Sequence, residues 1–301
     1  MTAPDDGSLA VFERNGGCLP PWRLQAPRPQ TAPVVFASPH SGRDYPRAFL
    51  AASRLDMLKL RRSEDAFVDE VFAAAPDFGA PLLSARFPRA YVDVNREAYE
   101  LDPAMFADPL PDYVNTTSPR IAAGLGTIAR IVTDGEDIYR GPLWFEDARQ
   151  RIDAMYRPYH AALRRLVEAT RERFGGCLLI DCHSMPSGVG DGQRDGRRVD
   201  VVLGDCHGTA CAPAITDIVQ RELQAMDFVV ARNSPYAGGF TTRHYGRPNT
   251  GVHVLQIEIN RAIYMDEMRV ARGAGLPDLI HRIGRLMRRL VGIDPGVLSP
   301  S

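Results

Sequence analysis

Two histidines stand in matching contexts. His40 follows the apolar run VVFAS and lies in PHSG, and His183 follows CLLI and lies in DCHS. Each sits where a strand-forming run stops, and each is followed by serine. Open α/β sheets collect ligands at the carboxyl ends of their strands, so two such side chains can meet although they are far apart in sequence. A catalytic zinc commonly takes two histidines and a carboxylate and keeps one position open. The carboxylates on offer are Asp44, Glu64, Asp65 and Asp181. Asp181 shares a strand face with His183, which suits it equally to holding that imidazole from behind. Glu64 and Asp65 stand where a helix is expected to open, a favourable place for an acid whatever its role. Spacing alone does not choose among the four.

Glu258 interrupts VLQIEI, a run that otherwise reads as interior strand. An ionised carboxylate there is costly unless it is paired or functional, and a general base beside a metal site would account for it. Arg89 and the segment AYVDVNR, with Asn95 and Arg96, place fixed cations around another apolar run; arginine suits bidentate carboxylate recognition and can face a developing oxyanion. Residues 238–246, GGFTTRHYG, read as a flexible cationic loop able to close over an anion through Arg243, His244 and Tyr245. The remaining histidines lack a comparable doubled context.

Several other chemistries find no carrier. Neither a Walker-type phosphate loop nor a G-x-S-x-G elbow occurs. Gly124, Gly126 and Ala129 match a dinucleotide fingerprint in letters, but they precede an expected strand instead of joining a strand to a helix. A non-catalytic nucleotide- or metabolite-binding α/β protein is the alternative that this stretch and the cationic loops support. Cys206, His207 and Cys211 lack a second ligand pair at finger spacing.

The elements that must position these residues alternate. Runs at 34–38, 82–85, 90–94, 127–132, 177–180, 201–204, 228–231 and 252–259 read as strands. Phe67, Val68, Val71 and Phe72 recur at helical spacing, with Ser63, Glu64 and Asp65 at the expected helix start. Residues 145–174 carry an apolar helical stripe that Pro158 should kink or divide, and Gly175-Gly176 should close it. Helices are also expected over 210–226 and 267–291. This alternation predicts an open, largely parallel sheet with helices on both faces.

The 301 residues are expected to form one domain, with loose ends at about 1–7 and 295–301. Thirty-six basic and 37 acidic side chains nearly cancel, which removes the footprint of a general nucleic-acid or membrane-surface binder and favours a small-molecule partner. Five scattered cysteines do not read as a disulfide framework, and the amino terminus lacks the pattern of a secretory signal, so a cytoplasmic location is expected.

The segments PHSGRDYP, RRSEDAFVDE, RAYVDVNRE, IDCHS, GGFTTRHYG and LQIEINRAIYMDE occur in the order found in the N-formylglutamate amidohydrolase family. The chain resembles that family over most of its length, and the family resembles a branch of the zinc carboxypeptidase and aspartoacylase group. The resemblance implies a three-layer α/β/α fold of the phosphorylase/hydrolase type, with a mixed, mostly parallel sheet. It implies one zinc ion held by His40, Asp65 and His183, with Glu258 as general base and Arg89 near the scissile carbonyl. It further implies that Asn95 and Arg96 hold a substrate carboxylate, which leaves Arg243 for a second. The wider group often takes its carboxylate ligand three residues after the first histidine, where this chain has Arg43, so Glu64 stays a rival to Asp65. The expected reaction is hydrolysis of the formyl amide of N-formyl-L-glutamate, or of a related N-acyl amino acid, as a step of amino-acid catabolism.

Overall fold

Apolar, β-branched runs with both faces covered become the inner strands of a sheet, and five of them here are buried along their whole length. In the computed structural model, which describes residues 12–14, 17–132, 135–188 and 198–300, seven strands form one sheet. They are β1 (Trp22–Gln25), β2 (Val34–Ser38), β3 (Leu82–Ala85), β4 (Cys177–Met185), β5 (Val201–Gly204), β6 (Val230–Arg232) and β7 (Val252–Asn260), in the order β1-β3-β2-β4-β7-β5-β6. Neighbours β3/β2, β2/β4, β4/β7 and β5/β6 run parallel, whereas β1/β3 and β7/β5 run antiparallel. The sheet is therefore mixed and mostly parallel.

Alternation divides the side chains between two cores. Leu178, Ile180, Cys182, Leu255, Ile257 and Ile259 face one side, where the helix Leu276–Val291 brings Leu279, Ile283, Leu286 and Leu290. Cys177, Leu179, Val252 and Val254 face the other, against Tyr159, Leu163 and Val167 of the helix Arg157–Phe174. Each fully buried side chain of leucine or isoleucine size contributes about 1.5–3 kcal/mol to this arrangement.

The long helical stretch begins as Phe145–Arg151, passes through a π-helical turn at Ile152–Tyr156 and continues as Arg157–Phe174. Pro158 has no N–H to give the carbonyl four residues earlier, and the wider turn lies where that bond is missing. Gly175, at φ +79°, ends the helix, its N–H donating to the Arg171 carbonyl.

Several expectations are corrected. Residues 90–94 and 127–132 are not strands; Asp93 N–H instead donates to the Thr127 carbonyl, tying the two segments together as loops. The helix expected around Phe67 is the short Val68–Val71, preceded by Phe67 at φ +66°, so Ser63, Glu64 and Asp65 lie in a turn. Within the stretch 267–291 the helix begins at Leu276. Pro295–Leu298, in the tail expected to hang loose, forms a 3-10 turn whose Leu298 is buried in the core. The expected loose end at 1–7 lies outside the described residues. Among the described residues no helix is long and apolar enough to cross a membrane.

Candidate active site

Strand register builds the floor of the site. In β4 the face that starts with Cys177 and Leu179 continues with Asp181 and His183; in β7 the face that starts with Val252 and Val254 continues with Gln256 and Glu258. Parallel pairing sets Asp181 beside Gln256 and His183 beside Glu258. Each strand thus changes from apolar to polar at its carboxyl half on one face. His40 arrives from the end of the adjacent β2, where a side chain at Gly42 would place its Cβ 2.1 Å from the Phe87 carbonyl oxygen, so only glycine lets the chain turn there.

His40, Asp65 and His183 converge, all three buried, with their ligand atoms within 4.8 Å of one another. Asp65 Oδ2 lies 3.3 Å from His40 Nδ1 and 3.0 Å from His183 Nδ1. The Asp65 N–H donates to the His40 carbonyl at 3.0 Å, which fixes the turn that carries the carboxylate. Glu64 faces elsewhere: its Oε1 accepts from the Tyr45 hydroxyl and both oxygens accept from Arg61. Asp44 lines a separate polar cleft with Arg23, Arg43 and Arg86.

The donor set fits a zinc ion. His40 Nε2 donates to Asp93 Oδ1 at 2.7 Å, and its other ring nitrogen, Nδ1, points toward the cluster, where that buried atom has no hydrogen-bond partner. His183 Nε2 stands 3.0 Å from Asp181 Oδ2, a second carboxylate on the side of the ring away from Asp65. Histidine with a carboxylate behind it is the usual metal-ligating arrangement. Tetrahedral zinc with bonds of about 2.0–2.1 Å spaces its ligand atoms by roughly 3.3 Å, close to the two separations from Asp65 Oδ2. Asp65 Oδ1, facing away from the histidines, accepts from Arg261 at 3.0 Å, which leaves Oδ2 for an ion.

Burial alone would raise Asp65, but contacts with His183 and His40 and the Arg89 charge hold its carboxyl well below the usual range. Burial would also lower His183, yet the charges of Asp181 and Asp65 keep it well above the ordinary histidine value, so its ring holds a proton in the metal-free protein. Glu258 is pushed up to about 7, chiefly by burial. Its Oε1 accepts from Gln256 Nε2 at 2.8 Å.

A cavity of about 530 Å³ opens over these groups, walled by His40, His183, Glu258, Arg89, Asn95 and Arg96 among others. With a buried histidine–carboxylate triad, a carboxyl raised to about 7 and guanidinium groups facing one cavity, the arrangement suits metal-assisted hydrolysis. A sequence profile described as N-formylglutamate amidohydrolase matches residues 32–265. The chain belongs to the N-formylglutamate amidohydrolase family.

Two curated relatives of this amidohydrolase family, the N-formylglutamate deformylases of Pseudomonas putida and Pseudomonas aeruginosa, are 29% and 28% identical over 241 and 238 residues. Those alignments cover 78% of this chain and 82% and 83% of the relatives. The crystal structure of N-formylglutamate amidohydrolase from Ralstonia eutropha JMP134 matches with a TM-score of 0.85 at 37% identity, over 91% of this chain and 98% of that one. A gene product of Agrobacterium tumefaciens shares the fold at TM-score 0.58 and 18% identity, over 90% of this chain and 96% of that one.

The residues expected around the amidohydrolase centre divide into two groups. Arg89 donates to Asp93 Oδ2 at 2.9 Å and stands 3.9 Å from Asp65 Oδ1. Arg96 donates through Nε to the Leu125 carbonyl and through Nη1 to its neighbour's carbonyl, leaving Nη2 3.6 Å from Asp93. Asn95 lies on the wall, but its amide is already engaged: Oδ1 accepts from Thr241 N–H, and Nδ2 is 3.2 Å from His183 Nε2. Arg243, His244 and Tyr245 do not reach the wall. They lie on the helix Phe240–Tyr245, where Arg243 donates to the Gly238 carbonyl and His244 stacks on Phe240. Burial pushes His160 down to about 4, so it is neutral; its Nε2 donates to the Val94 carbonyl and its Nδ1 receives the buried Tyr245 hydroxyl. Only Gly238 and Gly239 of the expected cationic loop line the cavity.

Sequence reasoning missed Asp93, Arg261, Gln256 and Arg120. Asp93 alone ties His40, Arg89 and Arg96 together; burial works against its ionisation, and the charges of Arg96, His40 and Arg89 hold it well below the usual range. Gln256 accepts the Gly239 N–H and passes its own donor to Glu258. The alternation in VDVN and in LQIE was the signal available for Asp93 and Gln256. Residues 124–129 form a loop with no strand before it and no helix opened by it, so the dinucleotide fingerprint lacks its context.

Proposed function

We propose that this chain hydrolyses the formyl amide of N-formyl-L-glutamate to glutamate and formate, with a zinc ion held by His40, Asp65 and His183. It is a hydrolase acting on an amide bond. The observation that carries the zinc reading is the buried Nδ1 of His40, without a hydrogen-bond partner, beside Asp65 Oδ2, which in turn faces His183 Nδ1. When bound, a divalent ion supplies Lewis-acid polarisation and makes water more acidic.

The chain's own residues supply the rest. Glu258, at the cavity wall with a carboxyl raised to about 7, takes the proton of the attacking water and delivers it to the departing amide nitrogen. The C–N bond breaks as the carbonyl is restored, so formate and a free amine leave together. Arg89 faces the charge that grows on the formyl oxygen, a role worth about 2.7–4 kcal/mol for a single well-placed donor. Arg96 Nη2 grips the substrate's α-carboxylate. Asn95 braces the Gly239 turn, its Oδ1 accepting from Thr241 N–H, and a Cβ at Gly239 would collide with the Asn95 amide at 2.3 Å.

The test is formate release from N-formyl-L-glutamate by purified protein, before and after chelation, alongside elemental analysis. Zinc near one per chain with chelator-sensitive turnover is the expected result. Full activity in metal-free protein would overturn the zinc assignment.

A further inference from the structure

The cavity wall is richer in positive than in negative charge: Arg89, Arg96, Arg120 and Arg261 face it with Asp93 and Glu258. Three of these guanidinium groups are largely engaged within the protein. Arg89 is bound to Asp93; Arg261 is bound to Asp65, Ser184 and the Arg62 carbonyl; and Arg96 retains only its Nη2 edge. Arg120 differs. Among the described residues its one ion pair is a loose 3.8 Å approach of Nη1 to Glu100 Oε1, and its guanidinium makes no hydrogen bond. Glu100, buried, is itself occupied by the Ser118 hydroxyl. Arg120 therefore brings to the cavity a charge whose hydrogen-bonding edge is unused.

Its position along the cavity is informative too. Arg89 lies by Asp65 and Asp93 next to the triad, Arg96 comes next through Asp93, and Arg120 is near enough to Arg96 for the two charges to repel each other. In an N-formyl acidic amino acid the α-carboxylate is attached next to the amide nitrogen, and the side-chain carboxylate stands further along the carbon chain. A substrate with its amide at the triad and its α-carboxylate on Arg96 thus carries its second anion outward, toward Arg120. A carboxylate placed there also relieves the repulsion between the two guanidinium groups.

We propose that Arg120 is the specificity-determining residue for the side-chain carboxylate, so that the enzyme selects N-formyl derivatives of acidic amino acids over neutral ones of the same shape. The proposal rests on the function given above and replaces Arg243 in the role that the sequence suggested for it.

The discriminating pair of substrates is N-formyl-L-glutamate and N-formyl-L-glutamine, which differ by one charge. Arg120→Gln is expected to raise KM for the glutamate compound by about 10- to 100-fold, the loss of one charge-assisted contact, while KM for the glutamine compound and both kcat values stay within about twofold. Arg120→Lys, which keeps a charge beside Glu100, is expected to recover part of the preference, and equal thermal midpoints show that the fold survives. An undiminished preference in Arg120→Gln, or an equal loss on both substrates with an unchanged midpoint, overturns the role of Arg120 alone. Failure of the zinc-loaded wild-type protein to release formate from either compound overturns the proposed function itself, and the role of Arg120 with it.

Discussion

His183 and Glu258 are side-by-side partners on adjacent parallel strands, one facing the Asp65 carboxylate and the other the cavity. Because register fixes this pairing, the proposed metal ligand and the proposed proton carrier are held at a set spacing by backbone hydrogen bonds instead of by a loop.

Glu258→Gln keeps the size of the side chain and removes its capacity to accept a proton. Turnover is expected to fall by about 10²–10⁴, the usual worth of general acid–base catalysis, with zinc content unchanged. Single-turnover formate release and elemental analysis of the same sample check both halves; normal kcat would remove Glu258 from the role.

Asp65→Asn and Glu64→Gln separate the two neighbouring acids. Asp65→Asn, like His40→Ala and His183→Ala, is expected to lose stoichiometric metal, whereas Glu64→Gln retains it because both Glu64 oxygens face Tyr45 and Arg61. Metal retention after dialysis against a weak chelator is the readout. The opposite ranking would make Glu64 the ligand.

Asp93→Asn leaves the shape intact but weakens the support of His40 and of two arginines at once. Metal affinity is expected to drop about 10–100-fold, as for other carboxylates behind metal-bound histidines. Competition with a zinc indicator measures it, and unaltered affinity would mean that His40 needs no such partner.

Stability of the metal-free protein should depend on pH in a defined direction. Glu258 is raised from 4.5 to about 7 in the fold, so the native chain binds more protons than the unfolded one in that window and stability falls as pH rises through it. His183, raised above 6.5, extends the fall upward: its stabilisation is complete below that value and is lost as pH rises through its native pKa. Asp65 and Asp93, both lowered, contribute stability above 3.8 that disappears as pH falls through their native values. Denaturant midpoints of chelated protein across pH 4.5–7 test this, and Glu258→Gln is expected to flatten the slope in that interval. An unchanged slope in the variant would assign the effect to other groups.

Much of this centre can be read from the chain. The change from Cys177 and Leu179 to Asp181 and His183, and from Val252 and Val254 to Gln256 and Glu258, is a period-two pattern that places polar groups on one sheet face. Asp65 could not be separated from Glu64, because a turn aims it, and the left-handed backbone of that turn at Phe67, a bulky residue that rarely adopts it, leaves no mark in local propensity. YVDV reads as a strand, yet its backbone groups pair with Pro88, Thr127 and His160, partners distant enough in most cases to be invisible locally. GGFTTRHYG looked like a cationic loop because of its glycines, whereas Thr241, Thr242 and Tyr245 bury one side of a short helix and turn Arg243 away. Arg120, in PRIAAG, resembles any surface arginine; only the fold brings Glu100 and Arg96 to it.

The π-helical turn at Ile152–Tyr156 has a consequence for what mutations the chain tolerates. Tyr156 donates to the Arg96 carbonyl and His160 to that of Val94, so the helix grips both sides of the Asn95 backbone. Each residue of an α-helix advances it by about 100°. Shortening this stretch by one would swing both grips off the cavity wall while leaving every remaining side chain chemically intact, so the chain there is sensitive to its count of residues more than to their kind.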